Sequence, residues 1–346
     1  MLSVGTVGGA RRVGVYSAGQ LATPQAKMAH GILRYADDVA VVIDAANAGR
    51  VAAEVVAGVD ADIPIVATIL DAVSLGMTEL VIGVAPPGGE VDVSWNALLR
   101  PALDAQVTVI NGLHTRLATL PEFADVPPQQ IVDLRHLDRE DTIAHGAAAD
   151  VTKRVVLTVG TDCATGKMST ALELHRASLQ RGIASDFIPT GQAGMYIARK
   201  GVAIDAVVAD FMAGAIEHLV VESAASHDVM FVEGQGSLIH PAYSGVSLAL
   251  LHGAAPDRLI FCHALGRATL KYFDRRIPDL REQIDLVERL ACLQRECRVE
   301  AVAISSNGHE LDEVVKAADR LESELGLPVF DPWAFGLERI VDRLLI

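Results

Sequence analysis

The stretch "VGTDCATGKMST", residues 159–170, has the composition of a phosphate-binding loop. Gly160 and Gly166 permit tight backbone paths, and the amides opening a following helix present positive charge to an anion. Lys167 adds a cation that can meet a phosphate oxygen. Two features depart from the loop of nucleotide hydrolases. Five residues, not four, separate Gly160 from Gly166, and Met168 stands where a magnesium-binding hydroxyl is expected. Ser169 comes one position later, turned by about 100° around the helix. The cradle is therefore read as Gly160, Thr161, Asp162, Cys163, Ala164, Thr165, Gly166, Lys167, Met168 and Ser169. Phosphate binding is better supported than a magnesium–triphosphate role. Cys163 precedes a helix N-terminus, where a thiolate is favoured, but the sequence offers it no evident histidine partner.

Other chemistry-bearing residues follow the loop. Glu233 closes the apolar run in "DVMFVEGQGS", where it can act as a general base, organise a metal-bound water or cap a turn. Across adjacent strand ends it is expected to approach Lys167 and form an ion pair. Thr190 and Gln192, in "PTGQAG", occupy a switch-like loop and are substrate-contact candidates. His240 and Tyr243, in "LIHPAYSG", join Glu233 as a candidate catalytic cluster. Arg267, Lys271, Arg275 and Arg276 form either a solvated basic face or an anion-recognition patch, with Arg267 and Arg275 as carboxylate ligands.

These residues need strand ends to carry them. Apolar runs at 13–16, 39–43, 63–67, 80–84, 107–111 and 131–134 read as strands. Helical patterns at 25–35, 48–57 and 95–105 alternate with them, implying βαβ units and a parallel sheet. The loops "APPGGE" (85–90) and "NGLHT" (111–115) follow strand ends and are candidates to line a site. "GVYSAG" lacks the dinucleotide fingerprint, so a Rossmann-like half without NAD is expected. After a charged, Ala-rich connection at about 135–153, strands are expected at 154–159, 185–188, 229–232, 259–262, 301–304 and 329–330. A helix over 167–180 should end at Gly182. The expected architecture is α/β, with two doubly wound, mostly parallel sheets: a Rossmann-like domain over 1–140 and a P-loop domain over 141–346.

A chain of 346 residues suits two domains, and 51% hydrophobic content with 4% aromatics suits buried parallel strands. A net charge of −15 argues against a nucleic-acid partner. No uncharged apolar run nears the roughly 18 residues that span a bilayer, so no membrane partner is expected. The four cysteines show neither paired zinc spacing nor a disulfide framework. A cytoplasmic location, no metal centre and a homodimer or higher homo-oligomer are the expectations.

"GTDCATGK" with "EGQGS" resembles the P-loop class that includes dethiobiotin synthetase. "VVIDAANAG", "IGVAPPGGE", "NGLHT", "PTGQAG", "ADFMAGAIE" and "EGQGSLIHPAYSGVSLALLHGAAPD" extend the likeness across nearly all of residues 10–345. Together they resemble a bacterial family long catalogued as a domain of unknown function, with an N-terminal Rossmann-like and a C-terminal P-loop domain. Members with an assigned activity resemble DgcN-like D-glutamate N-acetyltransferases. The resemblance implies acetyl-CoA as cosubstrate and an acidic amino acid as acceptor, with the loop holding a CoA phosphate. The alternatives are an ATP/Mg-dependent ligase or kinase, and a nucleotide-binding regulatory protein.

Overall fold

The computed structural model describes residues 11–85, 89, 94–137, 141–306 and 308–345. By contacts the chain forms two compact units. The first comprises Met1–Arg139 and Gln192–Ala206, the second Glu140–Gly191 and Val207–Ile346. A single boundary at 140/141 places 192–206 in the second domain; in the structure this segment returns to the first.

The first unit holds a six-stranded, all-parallel sheet in the order β3-β2-β1-β4-β5-β6. Its strands are β1 (Val13–Tyr16), β2 (Val39–Ile43), β3 (Ile65–Val66), β4 (Glu79–Ile82), β5 (Thr108–Asn111) and β6 (Ile131–Asp133). Their Val/Ile content and near-complete burial fit strands covered on both faces. Helices α1 (Lys27–Tyr35), α2 (Ile69–Ser74) and α3 (Ser94–Asp104) connect them, and a capping box between Thr68 and Asp71 starts α2.

The expected helix over 48–57 does not form. Gly49 N and Ala52 N donate to Ile65 O and Ile63 O, and Ile65 N donates to Arg50 O. This backbone spends its hydrogen bonds on the segment leading into β3, leaving only a single 3₁₀ turn at Ala52–Glu54. Of the two loops expected to line a site, residues 86–88 and 90 of "APPGGE" lie outside the described residues.

The acid at the end of β2 explains why this half differs from a dinucleotide site. Asp44 Oδ2 accepts from Ser17 Oγ (2.6 Å) and Leu21 N (2.9 Å), while Oδ1 accepts from Asn47 N (3.1 Å) and Nδ2 (3.0 Å). The carboxylate that would meet ribose hydroxyls in a dinucleotide fold is engaged by its own loops. The returning segment is anchored by α5 (Gln192–Ala198), which packs on α1. Buried Glu79 takes hydrogen bonds from Tyr196 Oη and from Arg199 Nη2 (3.1 Å), and the Arg199 guanidinium lies 4.0 Å from the Tyr196 ring centroid.

The second unit carries another six-stranded, all-parallel sheet, ordered β12-β11-β10-β7-β9-β8. Its strands are β7 (Arg154–Gly160), β8 (Ser185–Ile188), β9 (Val229–Val232), β10 (Arg258–Ala264), β11 (Arg298–Ser305) and β12 (Val329–Phe330). Helices α4 (Lys167–Gln180), α6 (Ala209–Ala224), α7 (Ser244–Ala254), α8 (Leu280–Ala291), α9 (Leu311–Leu325) and α10 (Leu337–Leu345) connect and follow them. Because β7 lies between β9 and β10, its loop is flanked by the ends of both neighbours. Among the described residues no helix is long and apolar enough to cross a membrane.

A buried acid ties β10, β11 and α10 together. Glu300 is fully buried and pairs with Arg258 Nε (2.7 Å), Arg298 Nε (2.5 Å) and Arg343 Nε (2.8 Å). Removing one partner of a buried ionic network costs about 3–5 kcal/mol. Glu300→Ala is expected to lose about 3 kcal/mol, at the low end because the arginines keep access to water. Urea denaturation should show this as a lower midpoint, with wild-type stability as the outcome against it.

Candidate phosphate-binding site

The loop after β7 folds as its glycines require. Gly166 caps α4 at φ +90°, and no side chain caps the helix, so its first-turn amides face outward for an anion. Gly234, just past β9, lies so close to β7 that a Cβ would meet Thr158 O at 1.6 Å. Its N–H donates to Thr158 Oγ1 at 2.9 Å, fixing the end of β9 against the loop strand.

Asp162, fully buried, organises the loop. Its Oδ1 accepts from Cys163 N (2.7 Å), and its Oδ2 accepts from Lys271 N (2.7 Å) and Arg267 Nη1 (3.2 Å). Arg267 also donates to Cys163 O (2.7 Å) and Ala164 O (3.3 Å). Arg267, expected to grip a substrate carboxylate, thus clasps the loop itself. Lys167 closes it from within, its Nζ donating to Asp162 O (2.6 Å) and Thr165 Oγ1 (3.3 Å). Burial pushes the Lys167 pKa down, so this ammonium gains from an arriving anion. Met168 is half-buried and Ser169 buried at the start of α4.

Glu233 stands at the end of β9, as its position predicts, but the ion pair with Lys167 does not form. Its Oε2 accepts from Thr190 N (3.1 Å) and Gly191 N (3.3 Å), and its Oε1 from Gln235 Nε2 (2.9 Å). Lys167 turns instead to the loop carbonyl, whose geometry is closer. Burial raises the Glu233 pKa to about 7, against the lowering pull of those hydrogen bonds and of the Lys167 charge. Thr190 is buried, and its hydroxyl donates to Glu233 O at 2.6 Å.

The candidate triplet Glu233, His240 and Tyr243 divides. His240 is fully buried, and its Nδ1 accepts from Ala242 N at 3.2 Å. That bond assigns the proton to Nε2, which donates to Lys271 O at 3.1 Å and lies 3.8 Å from Asp162 Oδ1. The ring stacks on Tyr243 at 4.5 Å between centroids and meets the edge of Phe273 at 5.1 Å. His240 therefore supports the Asp162 side of the loop, while Glu233 belongs to the Thr190 side. Gln192 starts α5 in the first unit, where its side chain packs against Gly112. Arg275 is exposed on the turn after β10.

His263 is a further polar group at the loop, outside the residues whose types and spacing point to chemistry in the sequence. It sits near the end of β10 with Nδ1 3.1 Å from Thr161 Oγ1, and burial, then Arg267, lowers its pKa to about 4. A polar residue closing the apolar run "LIFCH" is the signal, the same one that marks Glu233. Donor atoms of Asp162, Cys163 and His240 lie within 4.8 Å of one another, a spacing compatible with a metal ion that sequence spacing does not reveal. In this arrangement, however, Asp162 accepts hydrogen bonds and His240 Nε2 donates one.

Beside the loop lies a pocket of about 420 Å³, open mouth included. Leu157, Val159, Leu250, Phe261 and Val287 form apolar walls, while Gln235, Ser237 and Gln283 supply polar groups. Thr158, Gly160 and Gly234 border both the pocket and the loop.

Residues 142–341 match the P-loop domain, and residues 45–137 the Rossmann-like domain, of a family described as a domain of unknown function, DUF1611. The chain is 35% identical over 283 residues to a D-glutamate N-acetyltransferase of Pseudoalteromonas, covering 80% of this chain and 84% of that protein. It is 38% identical over 281 residues to a D-glutamate N-acetyltransferase of Tritonibacter scottomollicae, with the same coverages of 80% and 84%. The crystal structure of a DUF1611 family protein from Anabaena variabilis superposes with a TM-score of 0.92 at 36% identity, covering 97% of this chain and 99% of that one. With both halves of the architecture matched in order and along nearly the whole length, the chain belongs to the DUF1611 family.

Proposed function

We propose that this chain is a D-glutamate N-acetyltransferase that takes its acetyl group from acetyl-CoA. The observation that carries the reading is a phosphate loop that keeps Gly160, Gly166 and Lys167 but has Met168 in place of the magnesium hydroxyl. CoA phosphates need amides and cations, not a metal-bound triphosphate geometry. The names of the two relatives support the same reading.

In this reading the first-turn amides of α4 and Lys167 hold a donor phosphate. Lys167 exchanges its bond to Asp162 O for one to phosphate, a charge-assisted contact that offsets its burial. Glu233 is the general base. Its raised pKa suits proton transfer near neutral pH, whereas both ring nitrogens of His240 are committed to backbone groups. The ammonium of glutamate passes a proton to the Glu233 carboxylate. Its nitrogen then forms a C–N bond with the thioester carbon, and the C–S bond breaks. The nitrogen gives its second proton to the departing thiolate and the proton held by Glu233 passes to solvent, giving N-acetyl-D-glutamate and CoA.

Calorimetry with acetyl-CoA, CoA and Mg-ATP, paired with an assay of D-glutamate-dependent thiol release, tests this reading. CoA binding and thiol release are expected. Magnesium-dependent ATP binding without CoA binding would instead establish the ligase or kinase alternative. Lys167→Ala should weaken CoA binding by roughly 10–100-fold, the worth of a charged hydrogen bond. Unchanged affinity removes the loop from the site.

Glu233 makes two pH predictions. As the base it must be ionised, so kcat should rise with pH through about 7, and Glu233→Gln should lower kcat by about 100-fold while CoA affinity holds. A flat profile between pH 6 and 8 refutes the role. For stability the sign is opposite. A folded-state pKa raised above the unfolded value favours the fold below about 4.5, and this contribution is lost as pH rises through about 7. The melting temperature of Glu233→Gln relative to wild type should therefore climb between pH 5 and 8; a constant difference counts against the buried, proton-binding carboxylate.

A further inference from the structure

The hairpin after β10 is not explained by the chemistry above. Its arms meet at an antiparallel bridge between Thr269 and Arg276, with Leu270 N donating to Arg275 O (2.9 Å) and Ile277 N to Ala268 O (2.9 Å). The segment between them concentrates Lys271, Arg275 and Arg276 against one acid, Asp274, in a chain of net charge −15. Among the described residues the side chains of Arg275 and Arg276 make no hydrogen bond or ion pair, and both are exposed. Interleaved with these cations are exposed aromatics: Tyr272 is 56% exposed and Phe273 40%, and Tyr243 nearby is 38% exposed. Lys271 Nζ lies 5.2 Å from the Tyr272 ring centroid.

Two hydrogen bonds fasten this hairpin to the phosphate loop. Lys271 N donates to Asp162 Oδ2 at 2.7 Å, and Lys271 O accepts from His240 Nε2 at 3.1 Å. Through the Tyr243–His240–Phe273 stack the ring faces are carried by the same support. The exposed rings and the guanidiniums of Arg275 and Arg276 thus belong to a hairpin whose Lys271 is fastened to the phosphate loop. A solvated basic face needs neither the exposed rings nor the tether to Asp162.

We propose that hairpin 269–276 recognises the 3′-phosphoadenosine end of the acyl donor, resting on the acetyl-CoA reading above. The aromatic side chains stack on the purine, and Arg275 and Arg276 bind the ribose 3′-phosphate, the group that separates CoA from ADP and ATP. The hairpin is the specificity element of the donor site.

The test compares CoA with 3′-dephospho-CoA, using wild type, Arg275→Ala/Arg276→Ala and Tyr272→Ala/Phe273→Ala. Wild type should bind CoA at least about 10-fold more tightly than dephospho-CoA, the worth of charge-assisted bonds to one phosphate. The arginine variant should lose that preference while its affinity for dephospho-CoA stays at the wild-type value, which also shows that the site is folded. The aromatic variant should weaken both ligands alike, by roughly 5–10-fold or more, because base stacking is blind to the 3′-phosphate. Equal wild-type affinity for the two ligands, a preference that survives loss of both arginines, or equal weakening of both ligands by the arginine variant overturns the hairpin assignment and leaves the acetyl-CoA reading standing. Failure of wild type to bind either ligand overturns that reading and the hairpin assignment with it.

Discussion

The second unit depends on one buried carboxylate. Asp162 has no access to water, and an unpaired charge in that position would cost several kcal/mol. It is stable because its oxygens accept from Cys163 N, Lys271 N and Arg267 Nη1, two of them across more than 100 residues of sequence. Those partners hold the other parts of the site in turn. Arg267 grips the carbonyls of Cys163 and Ala164, and Lys271 sets the hairpin against His240. The geometry of the phosphate loop and that of the basic hairpin are therefore one constraint.

The two sheets use the same principle to opposite ends. Both present loops at the carboxyl ends of parallel strands, and both place an acid there. In the first unit Asp44 is closed by donors from Ser17, Leu21 and Asn47, so this strand end is stable and chemically occupied. In the second, Glu233 is buried among amides yet held near its protonation midpoint at neutral pH, and Lys167 is buried with its charge disfavoured. Local donors hold the first carboxylate as scaffold, while at the second burial outweighs the donors that surround it.

Much of this was legible in the sequence. β1, β2, β8, β9 and β12 fall on the expected residues, and α4 runs from Lys167 to Gln180 before Gly182 at φ +75°. Apolar runs bounded by turn residues carry that information locally. What failed was nonlocal. The 48–57 segment has helix-forming residues, but its backbone pairs with 63–65. Residues 192–206 look like part of the P-loop domain until Tyr196 meets Glu79 and α5 meets α1. At the loop, Glu233 stands at the strand end its position implies, but neither it nor Arg267 takes the partner expected from the sequence. A sequence shows which charges approach a strand end, not which of several nearby acceptors each will choose.

Met168 links the loop to the rest of the unit. Where a hydroxyl follows the lysine, a divalent cation can supply most of the countercharge for a polyphosphate. With a thioether there, that charge has to come from the protein. On the acetyl-CoA reading proposed above, Lys167 and the α4 amides serve one phosphate group. Arg267 cannot serve a second without releasing Asp162 and the loop carbonyls it holds. Among the described residues, Arg275 and Arg276 are exposed and make no ion pair, on the hairpin that Lys271 fastens to Asp162. Losing the magnesium hydroxyl and concentrating arginines in an acidic chain are then two sides of one electrostatic balance, joined through the carboxylate of Asp162.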